Sequence, residues 1–388
     1  MGGCMENKVI IAGVDTIEIG YCIQNYDEIV IHFEDLVTAK ELAQSTQGDN
    51  DFSGVEINAI LFKVQRTGSR NYDYILINED MTLRISTKAK SGYHYPEVMI
   101  SYRAEFLWRV GWQNAIDSVR KWLDTWAIVC SDKVSRLDVC CDIQMPLPVL
   151  DNALDMISTR AKSKDIKSEF DMQYSKRMFG KRVTGYVVGS NQLMCRIYDK
   201  SYEIKKHQKF WFNDLWLNNG ADTTDDITRV EFQCRRKMLR DLKIDSTFDL
   251  RYLISTLWDY LTVKWLRIVE KVAGKNRQRI DNHPFWDLVI KATDKFGIVY
   301  KGFTRMRIVK PKAELLAAQA RGCLVSIGAL GGVIFSKHAA EQGVKTVEEF
   351  TKKIVKDKQL EIDIYNRMYK VNSFPPTLLT GGLISTDN

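Results

Sequence analysis

Histidine is scarce in this sequence, and two common signatures of nucleotide-using or hydrolytic enzymes are missing. Only five histidines occur in 388 residues, and none of them lies in a His-x-His pair. This absence argues against a zinc hydrolase, because imidazole is the commonest metal ligand in such sites. The sequence also has no Gly-x-x-x-x-Gly-Lys loop and no Gly-x-Ser-x-Gly elbow. An ATP-driven motor and a serine hydrolase therefore lack their signatures.

Long apolar runs and patterned cysteines are missing as well. The longest apolar run, residues 324–335, is interrupted by three glycines, and it is shorter than the roughly 18 residues that a membrane-spanning helix needs. The eight cysteines show no metal-ligand spacing. We therefore expect reduced thiols, an untargeted N-terminus and a cytoplasmic protein without a membrane segment.

Positive charge is modest in total but concentrated in one tract. The formal net charge is +7, whereas residues 264–312 alone hold 13 Lys and Arg against 4 Asp and Glu. One interpretation is that this tract binds DNA phosphates through Arg277, Arg279, Arg305 and Arg307. The other is an ordinary solvated helix face, and the sequence does not decide between them.

Apolar residues recur at both strand and helix spacing along the chain. Strands are predicted at residues 9–21, 54–65, 96–108, 135–143, 184–188, 193–199 and 226–236. Helices are predicted at residues 114–130 and 201–217 and in a long segment capped by Ser246 and Asp249. The fold class is therefore α+β, a mixed or antiparallel sheet with helices on one face. Residues 1–280 form one predicted domain, and residues 281–388 form a smaller helical accessory domain with a flexible tail.

Three of the predicted strands carry unusual polar residues on one face. Strand side chains alternate between two faces, so residues two apart point the same way. In each of these strands one parity is apolar and fits a core, while the other parity is polar. The polar parities are Arg136, Asp138 and Asp142 in the first strand, Arg196, Tyr198 and Lys200 in the second, and Arg229, Glu231, Gln233 and Arg235 in the third.

If the three strands share one sheet, a single face gathers three carboxylates, a phenol and several cations. Such a collection is costly unless a ligand compensates the charges. Mg²⁺ and Mn²⁺ prefer oxygen ligands and leave positions open for phosphate. Asp138, Asp142 and Glu231 are therefore the candidate ligands of a divalent metal cofactor. The alternative for any one strand is a solvated face with cross-strand ion pairs.

Tyr198 is the candidate nucleophile of this face. A phenol with its ordinary pKa of about 10 is a poor nucleophile until a neighbouring cation lowers that pKa. Arg196 and Lys200 flank Tyr198 on the same strand face, so we expect them to lower its pKa and to offset phosphate charge. The expected chemistry is attack by the tyrosine on a phosphodiester polarised by the metal.

The segments that carry these faces resemble motifs of a known family. They are RLDVCCD (residues 136–142), RIYDKSYE (residues 196–203) and RVEFQCRR (residues 229–236), with LWDYLTVKW (residues 257–265) further along. In order and spacing they are similar to motifs of the replication initiation factor family, which comprises rolling-circle replication initiators of plasmids and phages and related conjugative relaxases. The resemblance covers roughly residues 9–290.

The resemblance implies a metal-dependent tyrosine DNA endonuclease that nicks one strand and rejoins it. By this likeness Tyr198 forms a 5′-phosphotyrosyl intermediate and frees a 3′ hydroxyl, and Asp138, Asp142 and Glu231 hold the metal. Tyr202 is a less favoured second nucleophile. Residues expected to support the metal site are Glu203, Arg229 and Gln233.

The same resemblance implies partners. They are DNA, as an origin or transfer-origin hairpin that is single-stranded at the nick, a second copy of the chain in a homodimer, and a host helicase. Three alternatives stay open: a relaxase of a conjugative element, a non-catalytic DNA-binding initiator or regulator, and a tyrosine recombinase that needs no metal. The missing His-hydrophobe-His motif separates the chain from the more common nicking enzymes.

Overall fold

The computed structural model describes residues 7–24, 34–45, 54–69, 71–86, 95–148, 150, 156–159, 174–179, 182–270, 280–300, 345, 348–349 and 352. The chain divides into two compact units, Met1–Arg307 and Ile308–Asn388. The four arginines proposed to bind DNA, Arg277, Arg279, Arg305 and Arg307, lie outside the described residues, so their role stays a prediction. The accessory domain predicted from residue 281 onward also stays a prediction.

A large antiparallel sheet organises the first unit. Among the described residues it has eleven strands: β1 (Lys8–Ile23), β2 (Gly54–Ile57), β3 (Ile60–Val64), β4 (Tyr74–Ile77), β5 (Met81–Ile85), β6 (Val98–Tyr102), β7 (Val129–Gln144), β9 (Tyr174–Phe179), β10 (Arg182–Ser190), β11 (Leu193–Asp199) and β12 (Ile227–Arg235). They follow the order β2-β3-β4-β5-β6-β1-β7-β12-β11-β10-β9 in the sheet. Two further short strands, β8 (Ile157–Thr159) and β13 (Leu266–Ile268), pair with each other.

Helices and the sheet together confirm the α+β class. The helix that ends at Asp259 continues as a π-helical segment, Tyr260–Trp265. None of the described helices is long and apolar enough to cross a membrane. The helices are α1 (Glu34–Ser45), α2 (Ala104–Val110), α3 (Trp112–Leu123), α4 (Lys200–His207), α5 (Trp211–Asn218), α6 (Arg236–Asp241), α7 (Thr247–Asp259) and α8 (Pro284–Lys291).

Several element boundaries differ from the predicted ones. The strand predicted to reach residue 108 ends at Tyr102, and the helix predicted over residues 114–130 ends at Leu123 because Val129 already pairs with β1. The helix predicted over residues 201–217 is broken into α4 and α5. Gln208 adopts a left-handed conformation with φ of 55°, which ends α4.

The apolar parity of the central strands forms the main core, as the alternation predicts. Val139 of β7, Phe232 of β12 and Ile197 of β11 are fully buried there. Helix α7 packs on them and begins with the predicted capping box of Ser246 and Asp249. Helix α8 joins the same core, where the indole of Trp258 in α7 donates a 3.0 Å hydrogen bond to the carbonyl of residue 289.

Helices also cover part of the opposite face, which the prediction of helices on one face did not include. Phe212 and Trp216 of α5 pack with Ile11 of β1 and Ile227 of β12 in a second apolar cluster. This cover closes one end of the polar face of the sheet. The other end stays partly open, and the side chain of Arg196 there is 29% exposed.

Candidate active site

Strand order and register bring the three predicted polar faces together. β12 lies between β7 and β11. In this register Glu231 is opposite Arg196, and Gln233 is opposite both Asp138 and Met194. Side chains directly opposite or diagonal on one face of antiparallel strands are close enough to interact. The sheet therefore assembles one continuous polar surface from segments that are distant in sequence.

Tyr198 and Glu231 form the central contact of this surface. The phenol of Tyr198 donates a 2.9 Å hydrogen bond to Oε2 of Glu231. Burial and the negative charge of Glu231 raise the pKa of Tyr198 well above its ordinary value. The expected lowering of this pKa by Arg196 and Lys200 is therefore not found. The phenol is protonated at neutral pH, and Glu231 is the base within reach of its proton.

Arg196 lies among three oxygen-bearing side chains rather than beside the phenol. Its Nη2 donates a 2.7 Å hydrogen bond to Oε1 of Gln233 and lies 3.2 Å from Oε1 of Glu231 and 3.8 Å from Oδ2 of Asp138. Its Nε is buried and has no hydrogen-bond partner within the described part of the chain. The guanidinium thus serves as the shared cation of two carboxylates.

Asp138 has a second cationic partner on its own strand. Nε and Nη2 of Arg136 donate to the two oxygens of Asp138 at 3.0 and 2.6 Å. Burial raises the pKa of Asp138, the hydrogen bond from Arg136 lowers it and the charge of Glu231 raises it, with a net value of about 6. Asp138 and Glu231 therefore repel each other, and added positive charge between them would stabilise both.

Asp142 belongs to a separate, closed group. Arg229 donates to both of its oxygens, at 2.5 and 2.7 Å, and Trp216 donates to Oδ2 at 2.8 Å. Asp142 and Arg229 are completely buried under α5. Arg229 and Trp216 thus occupy the oxygens of Asp142, and within the described residues the three carboxylates predicted to share one ion are not arranged to hold a metal.

Asp15 is a member of this group that the sequence analysis did not single out. Its Oδ1 accepts hydrogen bonds from Nη1 of Arg229 at 2.6 Å and from Nε1 of Trp108 at 3.1 Å. Burial raises the pKa of Asp15, but the charges of Arg229 and Lys200 outweigh it and bring the value to about 2. Asp15 lies at a register shift in β1. The available signal was an acidic residue directly after the apolar run of residues 9–14.

Lys200 is buried at the start of α4, where its ammonium group pairs with Glu203. Its Nζ donates a 2.6 Å hydrogen bond to Oε2 of Glu203 and lies 4.4 Å from the ring centroid of Phe212 and 5.7 Å from that of Tyr198. Burial and the charge of Arg229 lower the pKa of Lys200. Glu203 also accepts a bond from Lys209. The predicted support residue Glu203 therefore forms ion pairs with two lysines.

Tyr202, the second tyrosine of this segment, is placed differently from Tyr198. It lies in the first turn of α4, where its backbone N–H donates a 2.8 Å hydrogen bond to the side chain of Asp199. Asp199 is thus the N-cap of α4. The strand ends at this cap, so Tyr198 is the tyrosine on the polar face of the sheet.

The oxygen groups that could hold a divalent cation are two carboxylates and an amide. Within the described ranges, no group of three or more His, Cys, Asp and Glu residues is arranged to hold a metal ion. Asp138, Glu231 and Gln233 nevertheless surround one positively charged group, the Arg196 guanidinium. Magnesium sites often use one or two carboxylates and complete the shell with water and phosphate. This oxygen set fits such an ion, whereas Asp142 does not contribute.

Comparisons with known proteins give only loose similarity, and this similarity is to solved structures. No family model matches the sequence, and no curated protein matches it. Among solved structures, a rolling circle replication initiator protein from Geobacillus stearothermophilus is similar with a TM-score of 0.42 and 13% sequence identity. The alignment covers 78% of this chain and 100% of that one. A similarity this loose does not assign a function to the present chain.

Proposed function

We propose that this protein nicks one strand of DNA as a replication initiator, with Tyr198 as the nucleophile. The observation that carries the proposal is the hydrogen bond from Tyr198 to Glu231. A nucleophile hydrogen-bonded to a general base is the usual arrangement of an activated side-chain nucleophile. The likeness of residues 136–142, 196–203 and 229–236 to the replication initiation factor motifs supports the same assignment.

In the proposed reaction Glu231 accepts the phenolic proton as Tyr198 attacks. The phenolic oxygen forms a bond to phosphorus, and the bond from phosphorus to the 3′ oxygen breaks. The 3′ oxygen leaves and is protonated, and the 5′ phosphate stays on Tyr198. Reversal of these bond changes rejoins the strand. General base assistance of this kind contributes about 10² to 10⁴ in rate.

Positive charge for the phosphate comes from the open end of the surface. Arg196 and Arg136 lie beside the Tyr198–Glu231 pair and are partly exposed, with side chains 29% and 24% accessible. Guanidinium groups bind phosphate oxygens in a planar, two-pronged geometry. A divalent cation, Mg²⁺ or Mn²⁺, would be held by Asp138 and Glu231 and would supply further charge to the phosphate when bound.

Finer features of the proposal rest on the sequence resemblance. They are recognition of a hairpin that is single-stranded at the nick, action as a homodimer and recruitment of a host helicase. A conjugative relaxase uses the same chemistry in another setting, so it shares the proposed site. DNA contacts by Arg277, Arg279, Arg305 and Arg307 are proposed instead from the positive charge of residues 264–312.

A second candidate is a non-catalytic DNA-binding initiator or regulator. The observation in its favour is that every carboxylate of the surface already has a cationic partner in the chain. Asp138 is paired with Arg136, Glu231 lies beside Arg196, and Asp142 is paired with Arg229. Arginines of the chain thus already pair with all three of these carboxylates without a metal.

Covalent trapping on DNA separates these candidates. The full chain is incubated with a pool of hairpin-bearing single-stranded oligonucleotides and Mn²⁺, and denaturant-resistant protein–DNA adducts are counted. The nicking proposal expects adducts that disappear in Tyr198→Phe and in EDTA but persist in Tyr202→Phe. Binding of the pool without any adduct would favour the non-catalytic candidate. Adducts that are indifferent to EDTA would favour a metal-independent recombinase.

A further inference from the structure

Arg196 occupies the position among the oxygen donors that a cation would take. One of its nitrogens faces oxygens of Gln233, Glu231 and Asp138 at 2.7, 3.2 and 3.8 Å. Carboxylate and amide oxygens are the donors that hard divalent cations prefer. The guanidinium of Arg196 and a metal ion would therefore compete for the same carboxylates, those of Asp138 and Glu231.

The guanidinium of Arg196 does not form all the hydrogen bonds that it could form with the protein. Its Nε is buried without a hydrogen-bond partner among the described residues, and an unsatisfied buried donor destabilises the arrangement that contains it. Arg136, in contrast, uses two nitrogens to bind both oxygens of Asp138. The side chain of Arg196 is 29% exposed, so it has access to solvent. Of the two arginines, Arg196 is the one that can be displaced.

We infer that Arg196 is an internal counter-cation, which a divalent cation displaces from Glu231 and Asp138 and which then binds a DNA phosphate. The inference rests on the proposed function, because it assigns the freed guanidinium to the substrate of that reaction. Its consequence is coupling between two ligands. Metal binding releases Arg196 from the carboxylates, so that Arg196 can bind a DNA phosphate. Conversely, DNA that binds Arg196 frees the carboxylates to bind the metal. Such coupling is reciprocal and typically amounts to about 5- to 150-fold in affinity.

Binding of Mn²⁺ alone tests the competition without any reaction. The Kd is measured by electron paramagnetic resonance of free Mn²⁺ for the full chain, for Arg196→Gln and for Arg84→Gln. Arg84 lies on β5 of the same sheet, where it donates to Ser101, so its substitution removes an equal charge away from the site. We expect Arg196→Gln to bind Mn²⁺ about tenfold more tightly than the parent, and Arg84→Gln to bind like the parent.

A conservative variant allows the same test if the Arg196→Gln protein does not fold. Arg196→Lys keeps the positive charge but has a shorter side chain, so it should tighten Mn²⁺ binding by a smaller factor than Arg196→Gln does. Thermal unfolding with and without Mn²⁺ reports whether each variant is folded. Equal or weaker Mn²⁺ binding in folded Arg196→Gln or Arg196→Lys would overturn the inference. So would the lack of Mn²⁺ binding by the parent and all variants.

The link to DNA is measured in a Tyr198→Phe background, which prevents cleavage. Affinity for a fluorescent single-stranded oligonucleotide of mixed sequence should rise more with Mn²⁺ in Tyr198→Phe than in Tyr198→Phe/Arg196→Gln, in which only the charge of the ion itself attracts the phosphate. An equal rise in both proteins would overturn the coupling. Covalent adducts together with an unchanged Mn²⁺ affinity of Arg196→Gln would refute only this inference. A tightened Mn²⁺ affinity without any adduct would refute only the nicking function.

Discussion

The phenolic oxygen of Tyr198 and Oε2 of Glu231 are 2.9 Å apart, although 33 residues separate the two side chains in sequence. They project from the neighbouring strands β11 and β12, in which Tyr198 is opposite Arg229 and Glu231 is opposite Arg196. The contact is therefore diagonal across the pair of strands.

Substitution of Glu231 by glutamine should slow nicking without disturbing the fold. An amide can still accept the hydrogen bond of Tyr198, but it cannot take up the proton, so adduct formation should slow by about 10² to 10⁴. The rate is measured by quenching reactions of the variant and the parent at successive times. Glu56→Gln, at an exposed position of β2, is the matched control. A Glu231→Gln rate equal to that of the control would exclude Glu231 as the base.

Metal-free Asp138 should make stability depend on pH in an unusual direction. Its pKa in the fold, about 6, lies above its ordinary value of 3.8, so its ionisation disfavours the fold. The stability that protonated Asp138 contributes is complete below pH 4 and is lost as pH rises through about 6. One unit of pKa shift corresponds to about 1.4 kcal/mol. As pH rises from 4 to above 6, the free energy of unfolding of Asp138→Asn should therefore increase relative to that of the parent by up to roughly 3 kcal/mol.

Urea unfolding in EDTA at a series of pH values measures this difference. Asp35→Asn, on the exposed surface of α1, controls for the loss of one carboxylate. The expected result is a difference between Asp138→Asn and the parent that grows from pH 4 to pH 7 and then levels off. A difference that is flat with pH would show that Asp138 ionises freely in the fold.

Asp142 should behave as a structural residue. Replacing it by asparagine leaves Arg229 buried with a weakened partner, and breaking a buried ion pair typically costs about 3–5 kcal/mol. The free energy of unfolding of Asp142→Asn should therefore fall by an amount of this order. Mn²⁺ affinity, measured where the variant is folded, should match the parent for Asp142→Asn and weaken for Asp138→Asn. The reverse pattern would return Asp142 to the metal site.

Gly185 should be required for the position of Tyr198. The two residues are opposite each other on β10 and β11, and a Cβ on Gly185 would lie 2.9 Å from Cβ of Tyr198 and 2.8 Å from the carbonyl oxygen of Ile197. Gly185→Ala should therefore lower stability by about 1–3 kcal/mol and displace the tyrosine. Adduct formation should fall at temperatures where the variant is fully folded. Parent-like rates would mean that the strand accommodates the methyl group.

Strand alternation identified the polar parity of three strands, although it did not single out Asp15. Leu137, Val139 and Phe232 are buried in the core as predicted, and Asp138 and Glu231 share the opposite face. Which carboxylates lie together depends on register between distant strands, and the sequence contains no local signal for register. Asp138 therefore meets Arg196 and Glu231, while Asp142, four residues along β7, meets Arg229 instead.

Burial of Asp142 under α5 could not be derived from the sequence either. The segment after Tyr198 was predicted as one helix, whereas the left-handed residue Gln208 ends α4 and lets α5 start in a new direction. Phe212 and Trp216 of α5 then cover the end of the polar face. Side-chain alternation describes the two faces of a strand, but it does not predict what packs on each face.

Peptide mapping of the covalent adduct tests the central claim most directly. The protein trapped on single-stranded DNA with Mn²⁺ is digested with nuclease and protease, and the modified residue is identified by tandem mass spectrometry. The account predicts a nucleotide linked through its 5′ phosphate to Tyr198. A nucleotide on Tyr202 or any other residue, or a linkage through a 3′ phosphate, would contradict it.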